Sequence, residues 1–102
     1  MQFLLNFVGF EWNSGNREKN WRRHRVKWLE CEEVFFNLPL LLLPDMKHSV
    51  KEERNFAFGR TNSGRLLLVV LTVRDSRIRV ISAPDMNRKE RKFYNEKTQK
   101  PA

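Results

Sequence analysis

Residues 64–83 read GRLLLVVLTVRDSRIRVISA, and this stretch decides the fold of the chain. Leu66 to Val73 is an unbroken run of Leu, Val and Thr, which is typical of a strand buried on both faces. Arg77 to Ser82 instead alternates Ile78 and Val80 with arginines, which predicts a strand with one polar face. The dipeptide Asp75-Ser76 favours a tight turn, so the two strands are expected to pair as an antiparallel hairpin.

Further elements are predicted on both sides of this hairpin. A third antiparallel strand precedes it and is joined to it by Asn62-Ser63-Gly64, which is also turn chemistry. The remaining elements are a first strand, two helices, a strand between two prolines, this third strand and a final helix: Phe7 to Trp12, Asn16 to His24, Val26 to Phe36, Leu38 to Leu43, Asn55 to Arg60 and Arg88 to Glu96. The order β-α-α-β-β-β-β-α predicts an α+β fold, with helices packed on one face of a mostly antiparallel sheet.

The length and composition predict one domain. A chain of 102 residues with 40% hydrophobic and 31% charged residues is typical of a small globular protein. We expect residues 1–96 to form this single domain and the polar tail KTQKPA, residues 97–102, to be frayed.

The charge is positive and unevenly distributed. The formal net charge is +8 and the isoelectric point is about 10.3. Residues 1–51 hold 8 Lys and Arg against 6 Asp and Glu, whereas residues 52–102 hold 12 against 6. This asymmetry favours a polyanionic partner, with nucleic acid first, an acidic protein second and an anionic membrane third. A basic surface that serves only solubility is the alternative.

The cysteine count and the apolar runs indicate the compartment. Cys31 is the only cysteine, which excludes an intrachain disulfide and a cysteine-based zinc site, and we interpret it as a small core residue. No apolar run is long enough to span a bilayer, and MQFLLNFVGF lacks the basic start and the cleavage site of a signal peptide. We therefore expect a cytoplasmic protein that does not enter a membrane.

Several segments, in this order and spacing, resemble the BrnT toxins: FEWN (10–13), NWRRHRV (20–26), DMKHSVKEERNFAFG (45–59), GRLLLVVLTVR (64–74), RIRVISA (77–83) and ERKFYNE (90–96). The resemblance implies a RelE-like ribonuclease fold and a toxin of a type II toxin–antitoxin module that degrades RNA and inhibits growth. It also implies a BrnA-type antitoxin as partner, contact with operator DNA only through that antitoxin, and a toxin dimer within a heterotetramer. We expect no cofactor.

Metal-free RNA cleavage needs a base for the 2′-hydroxyl, cations for the phosphate and a proton donor for the leaving oxygen. The sequence contains no cluster with metal-ligand spacing. Arg79, on the polar face of the last strand, is the candidate phosphate-binding cation. Glu90 is either the general base or the third residue of a capping box that begins at Asn87. Tyr94, four residues later on the same helix face, either donates a proton, stacks on a base or packs.

Further basic and polar residues are expected to bind RNA phosphates, with a merely solvated face as the alternative: Arg77, Ser82, Arg88, Arg91 and Lys92. Three residues are weaker candidates. His24 ends a helix, where an imidazolium favours the dipole, and His48 lies in a polar loop suited to antitoxin contact. Arg54 opens a strand and is placed to pair with a nearby glutamate.

Two positions depart from the family pattern. Pro84 stands where the BrnT toxins have an arginine, which removes a cation from the expected site. Arg25 stands where they favour glycine, at a turn suited to positive φ. Three hypotheses therefore remain: an active RNA-cleaving toxin, a catalytically degenerate relative that only binds its partner, and a basic nucleic-acid binder unrelated to toxins.

Overall fold

A computed structural model describes residues 8–47 and 52–99 of the chain. These residues form five strands and three helices in the predicted order. The strands are β1 (Gly9–Phe10), β2 (Leu41–Pro44), β3 (Arg54–Arg60), β4 (Leu66–Arg74) and β5 (Arg77–Ser82), and the helices are α1 (Ser14–His24), α2 (Trp28–Val34) and α3 (Arg88–Thr98). The α+β class and the order of the elements are thus confirmed.

The strands form one mixed sheet in the order β1-β5-β4-β3-β2. The predicted hairpins are present, because β3 pairs antiparallel with β4 and β4 pairs antiparallel with β5. Asp75 and Ser76 both have positive φ, of 53° and 61°, as a tight hairpin turn requires. The only parallel pair among the described strands is β1 with β5, in which Phe10 lies opposite Ile78.

One face of the sheet packs against α1 and α2. Alternate residues of β4 and β5, among them Leu67, Val69, Ile78 and Val80, join side chains from the α1–α2 region in a buried cluster. Cys31 lies at the centre of this cluster with no exposed surface. Burial, with the charges of Glu30 and Glu32 adding to it, raises the pKa of the Cys31 thiol to about 12, so the residue is an inert core group.

The prediction that the helices share one face is wrong for α3. Tyr94 and Phe93 of α3 pack on the opposite face, against a second set of alternating side chains from β2, β3 and β4: Leu41, Leu43, Phe56, Phe58, Leu66 and Leu68. Successive residues of a strand point to opposite faces of the sheet. The strands carry apolar side chains on both faces, so both faces must be covered by helices. The uninterrupted apolar run of β4 is explained by this two-sided cover.

Local capping sets the helix ends. The Asn13 side chain accepts from the Asn16 backbone N–H at 3.0 Å, so α1 begins at Ser14, two residues before the predicted start. Arg25, the C-cap residue that follows α1, adopts the left-handed conformation with φ 55° and ψ 38°. The turn that glycine would favour is thus formed by an arginine. Helix α3 continues to Thr98, two residues past its predicted end.

Candidate nucleic-acid interface

Four residues lie side by side on the face of the sheet that carries α3: one from each of three neighbouring strands and one that follows β1. Arg54 of β3 is opposite Thr72 of β4, and Thr72 is opposite Arg79 of β5. Glu11 follows β1, and its backbone N–H donates to the Ile78 carbonyl oxygen at 2.8 Å, which sets Glu11 beside Arg79. We call Arg54, Thr72, Arg79 and Glu11 the arginine row.

The arginine row contains a direct ion pair. Arg79 Nη1 donates to Glu11 Oε1 at 2.9 Å, and the two side chains keep 30% and 31% of their surface exposed. Neighbouring strands are about 4.8 Å apart, so the Cα atoms of Arg54 and Arg79 are separated by about 10 Å. Both arginines stand on the same face of the sheet, and a guanidinium group can bind a phosphate with two N–H donors.

Thr72 gives the row a fixed centre. Its side chain is 1% exposed, and its hydroxyl donates to the Glu53 carbonyl oxygen at 2.7 Å. This bond ties β4 to the residue that precedes β3. Thr72 therefore positions the strands beneath the two arginines rather than offering its hydroxyl to a ligand.

A cleft of about 350 Å³ adjoins Arg79 at the edge of β5. Lys19 of α1 lines it, and Lys19 Nζ donates to the Ile81 carbonyl oxygen at 3.2 Å. Asn16 of α1 lines it as well, with its side-chain nitrogen 3.4 Å from the Val80 carbonyl oxygen. The cleft exists because β1 pairs with β5 only at Arg77 and Ile78, which leaves the later part of the β5 edge to these side chains. Lys19 is therefore a further cation beside the two arginines of the row.

Glu90, one of the predicted catalytic residues, caps α3. Its carboxylate accepts from the Asn87 backbone N–H at 2.8 Å, and the Asn87 side chain accepts from the Glu90 N–H at 2.8 Å. The predicted capping box is therefore present. Helix α3 starts beside Leu66, where Met86 donates to the Leu66 carbonyl oxygen, whereas Arg79 lies opposite Thr72. Six residues of strand separate these two positions, or about 20 Å.

Tyr94 is also remote from Arg79. Its side chain is fully buried, and its hydroxyl donates to the Pro39 carbonyl oxygen. The guanidinium carbon of Arg60 lies 5.9 Å from the centre of the Tyr94 ring, at the end of β3 that pairs with Leu66. The structure thus separates Tyr94 and Glu90 from Arg79, and Tyr94 as placed has no surface to offer a substrate.

The predicted phosphate-binding residues fall into two groups. Arg77 and Ser82 lie on β5, with Arg77 exposed and Ser82 half-buried opposite Val70. The second group is exposed on α3: Arg88, Arg91 and Lys92. Arg91 Nη1 donates to the Met86 carbonyl oxygen at 2.8 Å, so this side chain also holds the start of the helix.

The three weaker candidates have different outcomes. Arg54 belongs to the arginine row. His24 is the last residue of α1, and its backbone oxygen accepts from Arg65 Nη2 at 2.9 Å. His48 lies outside the described residues.

Pro84 lies on the same face as α3. Its carbonyl oxygen accepts from the Leu68 backbone N–H at 2.9 Å, but a proline has no N–H to complete the pair. Residues that pair across antiparallel strands point to the same face, so Pro84 accompanies Leu68 of the α3-side cluster. Leu68 is four residues from Thr72, or about 13 Å along β4. A long cationic side chain at position 84 would extend over the sheet between α3 and the arginine row.

Sequence reasoning missed Glu11 and Arg65. Glu11 lies next to Arg79 only because β1 joins the sheet edge in parallel, which a pattern of alternating residues does not reveal. Arg65 forms a bidentate ion pair with Asp85 and also approaches Glu30 Oε1 at 3.4 Å. The hydrogen bonds to Asp85 hold the pKa of the Arg65 guanidinium above its ordinary value and that of the Asp85 carboxyl below its own.

Two further findings concern the described ranges alone. Within residues 8–47 and 52–99, no three His, Cys, Asp or Glu side chains are grouped so as to hold a metal ion. Each helix in that part of the chain is too short or too polar to cross a lipid bilayer.

Comparison with known proteins identifies the family. A comparison with curated proteins gives no match. The sequence model of one family, described as the ribonuclease toxin BrnT of type II toxin–antitoxin systems, matches residues 12–90. This match spans α1, the whole β2–β5 part of the sheet and the start of α3. The chain therefore belongs to the BrnT family of ribonuclease toxins.

Proposed function

We propose that this chain is an active toxin, an endoribonuclease that cuts RNA without a metal ion and thereby inhibits growth. The observation that carries the proposal is the half-exposed Arg79, which is bonded to Glu11 and faces Arg54 across Thr72. A guanidinium binds phosphate with two donors and stabilises the charge that develops on it during cleavage. The family's ribonuclease description supports the same activity.

The proposal places RNA along the α3 side of the sheet. The scissile phosphate binds at Arg79, and phosphates several nucleotides away on the same RNA strand reach the exposed cations of α3: Arg88, Lys89, Arg91 and Lys92. Phosphate contacts of this kind give affinity without sequence preference. The net charge of +8 supports a polyanionic substrate.

The proposed partner is a BrnA-type antitoxin that neutralises the toxin in the cytoplasm. Acidic residues of such a partner compete with RNA for the basic surface of α3, because both ligands present negative charge to the same side chains. In this proposal the toxin forms a dimer within a heterotetramer, and operator DNA is contacted through the antitoxin. The type II description of the family supports an antitoxin partner.

Pro84 favours a second candidate function, a degenerate toxin that binds its partner but does not cut. The proline stands on the α3 side of the sheet, where the BrnT pattern has a cation. Loss of one group that stabilises the transition state reduces a rate by about 10²–10³-fold. Under this alternative, the arginine row alone is too weak for toxicity.

A growth assay in bacteria separates the two functions. Expression of the wild-type chain without its antitoxin is expected to arrest growth, and the Arg79→Ala variant is expected not to. Arg23→Ala is the matched control, because Arg23 is an exposed arginine on α1 and is not a member of the arginine row. Normal growth with the wild type, combined with arrest by Pro84→Arg, would support the degenerate toxin. Normal growth with both would contradict toxicity altogether.

A further inference from the structure

The carboxylate of Glu11 forms an ion pair with Arg79. Unlike the carboxylate of Glu90, which caps α3, the carboxylate of Glu11 is bonded to Arg79. Arg79 Nη1 donates to Glu11 Oε1 at 2.9 Å, and about a third of the Glu11 side chain is exposed to solvent. The carboxylate is thus held in one place while part of it remains accessible to a ligand.

The fold does not need this ion pair to hold β1. Val8 donates to the Ser76 carbonyl oxygen at 2.7 Å and Glu11 donates to that of Ile78 at 2.8 Å, so backbone bonds already fix the strand. Phe10 and Trp12 also pack against the buried cluster beneath α1 and α2. A half-exposed ion pair adds only about 0–1 kcal/mol to such an arrangement. Stabilisation of the fold therefore does not explain why Glu11 is paired with Arg79.

The surroundings of Glu11 suit a phosphodiester. Arg79 binds its carboxylate directly, and the cleft that Arg79 shares with Lys19 opens beside it. The cleft, of about 350 Å³, lies within the size range of small-ligand sites. Because the Arg79 guanidinium contacts the Glu11 carboxylate at 2.9 Å, a phosphate bound by Arg79 has its adjoining ribose close to that carboxylate.

We propose that Glu11 is the general base of RNA cleavage, an inference that rests on the proposed function. Glu11 takes the proton of the ribose 2′-hydroxyl, and the 2′-oxygen bonds to phosphorus as the bond from phosphorus to the 5′-oxygen breaks. The products are a 2′,3′-cyclic phosphate and a 5′-hydroxyl. The leaving 5′-oxygen takes a proton from water, and the proton that Glu11 later releases neutralises the hydroxide. Arg79 orients the carboxylate and stabilises the charged phosphate.

The test compares cleavage with binding in the Glu11→Gln variant. Glutamine keeps the size of glutamate and an oxygen that accepts from Arg79, but it cannot take the proton. We expect the single-turnover cleavage rate to fall by about 10²–10⁴-fold, the range for a general base. Affinity for a 2′-O-methyl RNA, which cannot be cut, is expected to stay close to that of the wild type. Added formate is expected to restore part of the rate to Glu11→Ala.

Glu52→Gln is the matched control. Glu52 pairs with Arg74 at 3.0 Å, with 41% of the Glu52 side chain exposed, so the pair is similar in geometry but lies outside the arginine row. This variant is expected to cut RNA at the wild-type rate. If the wild type does not cut RNA but Pro84→Arg does, Glu11→Gln and Glu52→Gln are each combined with Pro84→Arg and compared with that variant.

Three results would overturn the inference. Glu11→Gln that cuts at the rate of its parent, while Arg79→Ala is inactive, would refute the role of Glu11 and leave the proposed function intact. Equal losses of RNA affinity and cleavage in Glu11→Gln would reduce Glu11 to a residue that positions Arg79. If neither the wild type nor Pro84→Arg cuts RNA, the proposed function fails, and the role of Glu11 fails with it.

Discussion

Arg65 and Asp85 form a bidentate ion pair in which Arg65 Nε donates to Oδ1 at 2.7 Å and Arg65 Nη2 donates to Oδ2 at 2.9 Å. The same guanidinium donates to the backbone oxygens of His24 and Arg25, at 2.9 and 2.8 Å. Arg65 precedes β4 and Asp85 follows β5, so one side chain joins both strands of the central hairpin to the end of α1. This connection fixes α1, and with it Lys19, relative to β5.

We expect Arg65→Met to lower the free energy of unfolding by about 2 kcal/mol, because it removes charge-assisted bonds to otherwise unpaired helix-end carbonyls. Urea denaturation followed by tryptophan fluorescence measures the change. The control is Arg74→Met, which breaks the more exposed pair with Glu52 and is expected to lower the free energy of unfolding less than Arg65→Met does. Equal losses in the two variants would contradict the role given to Arg65.

The Arg65–Asp85 pair also predicts a dependence of stability on pH. Hydrogen bonding to Arg65 holds the pKa of Asp85 below its ordinary value of 3.8. The folded state then binds the proton less readily than the unfolded state, so the stabilisation is complete above about pH 4. It is lost as the pH falls through the lower, folded-state pKa. Urea midpoints between pH 6 and pH 2.5 should therefore fall less steeply for Asp85→Asn than for the wild type. Identical slopes would contradict the prediction.

Because Arg25 has a left-handed backbone conformation, we expect glycine to be more favourable than alanine at this position, the reverse of the usual order. Glycine is expected to be more stable than alanine at this position by about 0.5–1 kcal/mol, because a Cβ in this region costs about 1–2 kcal/mol and the flexibility of unfolded glycine offsets part of it. Both variants lose the contact of the Arg25 guanidinium with the Trp21 ring, at 5.3 Å, so the comparison isolates the backbone. Thermal unfolding of the two variants measures the difference. A more stable alanine variant would show that this turn is not constrained as described.

Tyr94→Phe separates packing from catalysis. The variant removes the hydroxyl that donates to Pro39, and we expect a loss of about 1–2 kcal/mol in the free energy of unfolding. RNA cleavage per folded molecule is expected to be unchanged, because Tyr94 is fully buried and remote from Arg79. Loss of cleavage with unchanged stability would instead support the catalytic role that the sequence suggested.

The local elements were predictable where one strong pattern governs them. The alternation of Ile78 and Val80 with arginines located β5 at its observed bounds, and Asp75-Ser76 marked the turn before it. The side of the sheet that α3 occupies was predicted wrongly. Phe93 and Tyr94 fit either face, and the choice depends on which alternate positions of β2, β3 and β4 remain to be covered.

The candidate site was predictable only in part, for a related reason. The polar face of β5 singled out Arg79, since a single strand shows its own two faces. The partner of Arg79 was sought on α3, yet it is Glu11, which directly follows a two-residue strand and lies 68 positions earlier in the chain. Parallel pairing at a sheet edge is a long-range contact, and the residues around Glu11 carry no pattern that predicts it. The capping role of Glu90 was predictable, because it is set within a few residues.

The single-turnover rate of RNA cleavage by the wild type and by Arg79→Ala, measured in EDTA with Arg23→Ala as control, tests the central claim most directly. The claim is that RNA is cut at the arginine row. The predicted result is cleavage by the wild type and by Arg23→Ala, with a loss of about 10²–10³-fold in Arg79→Ala at unchanged stability. Cleavage by Arg79→Ala at the wild-type rate would contradict it.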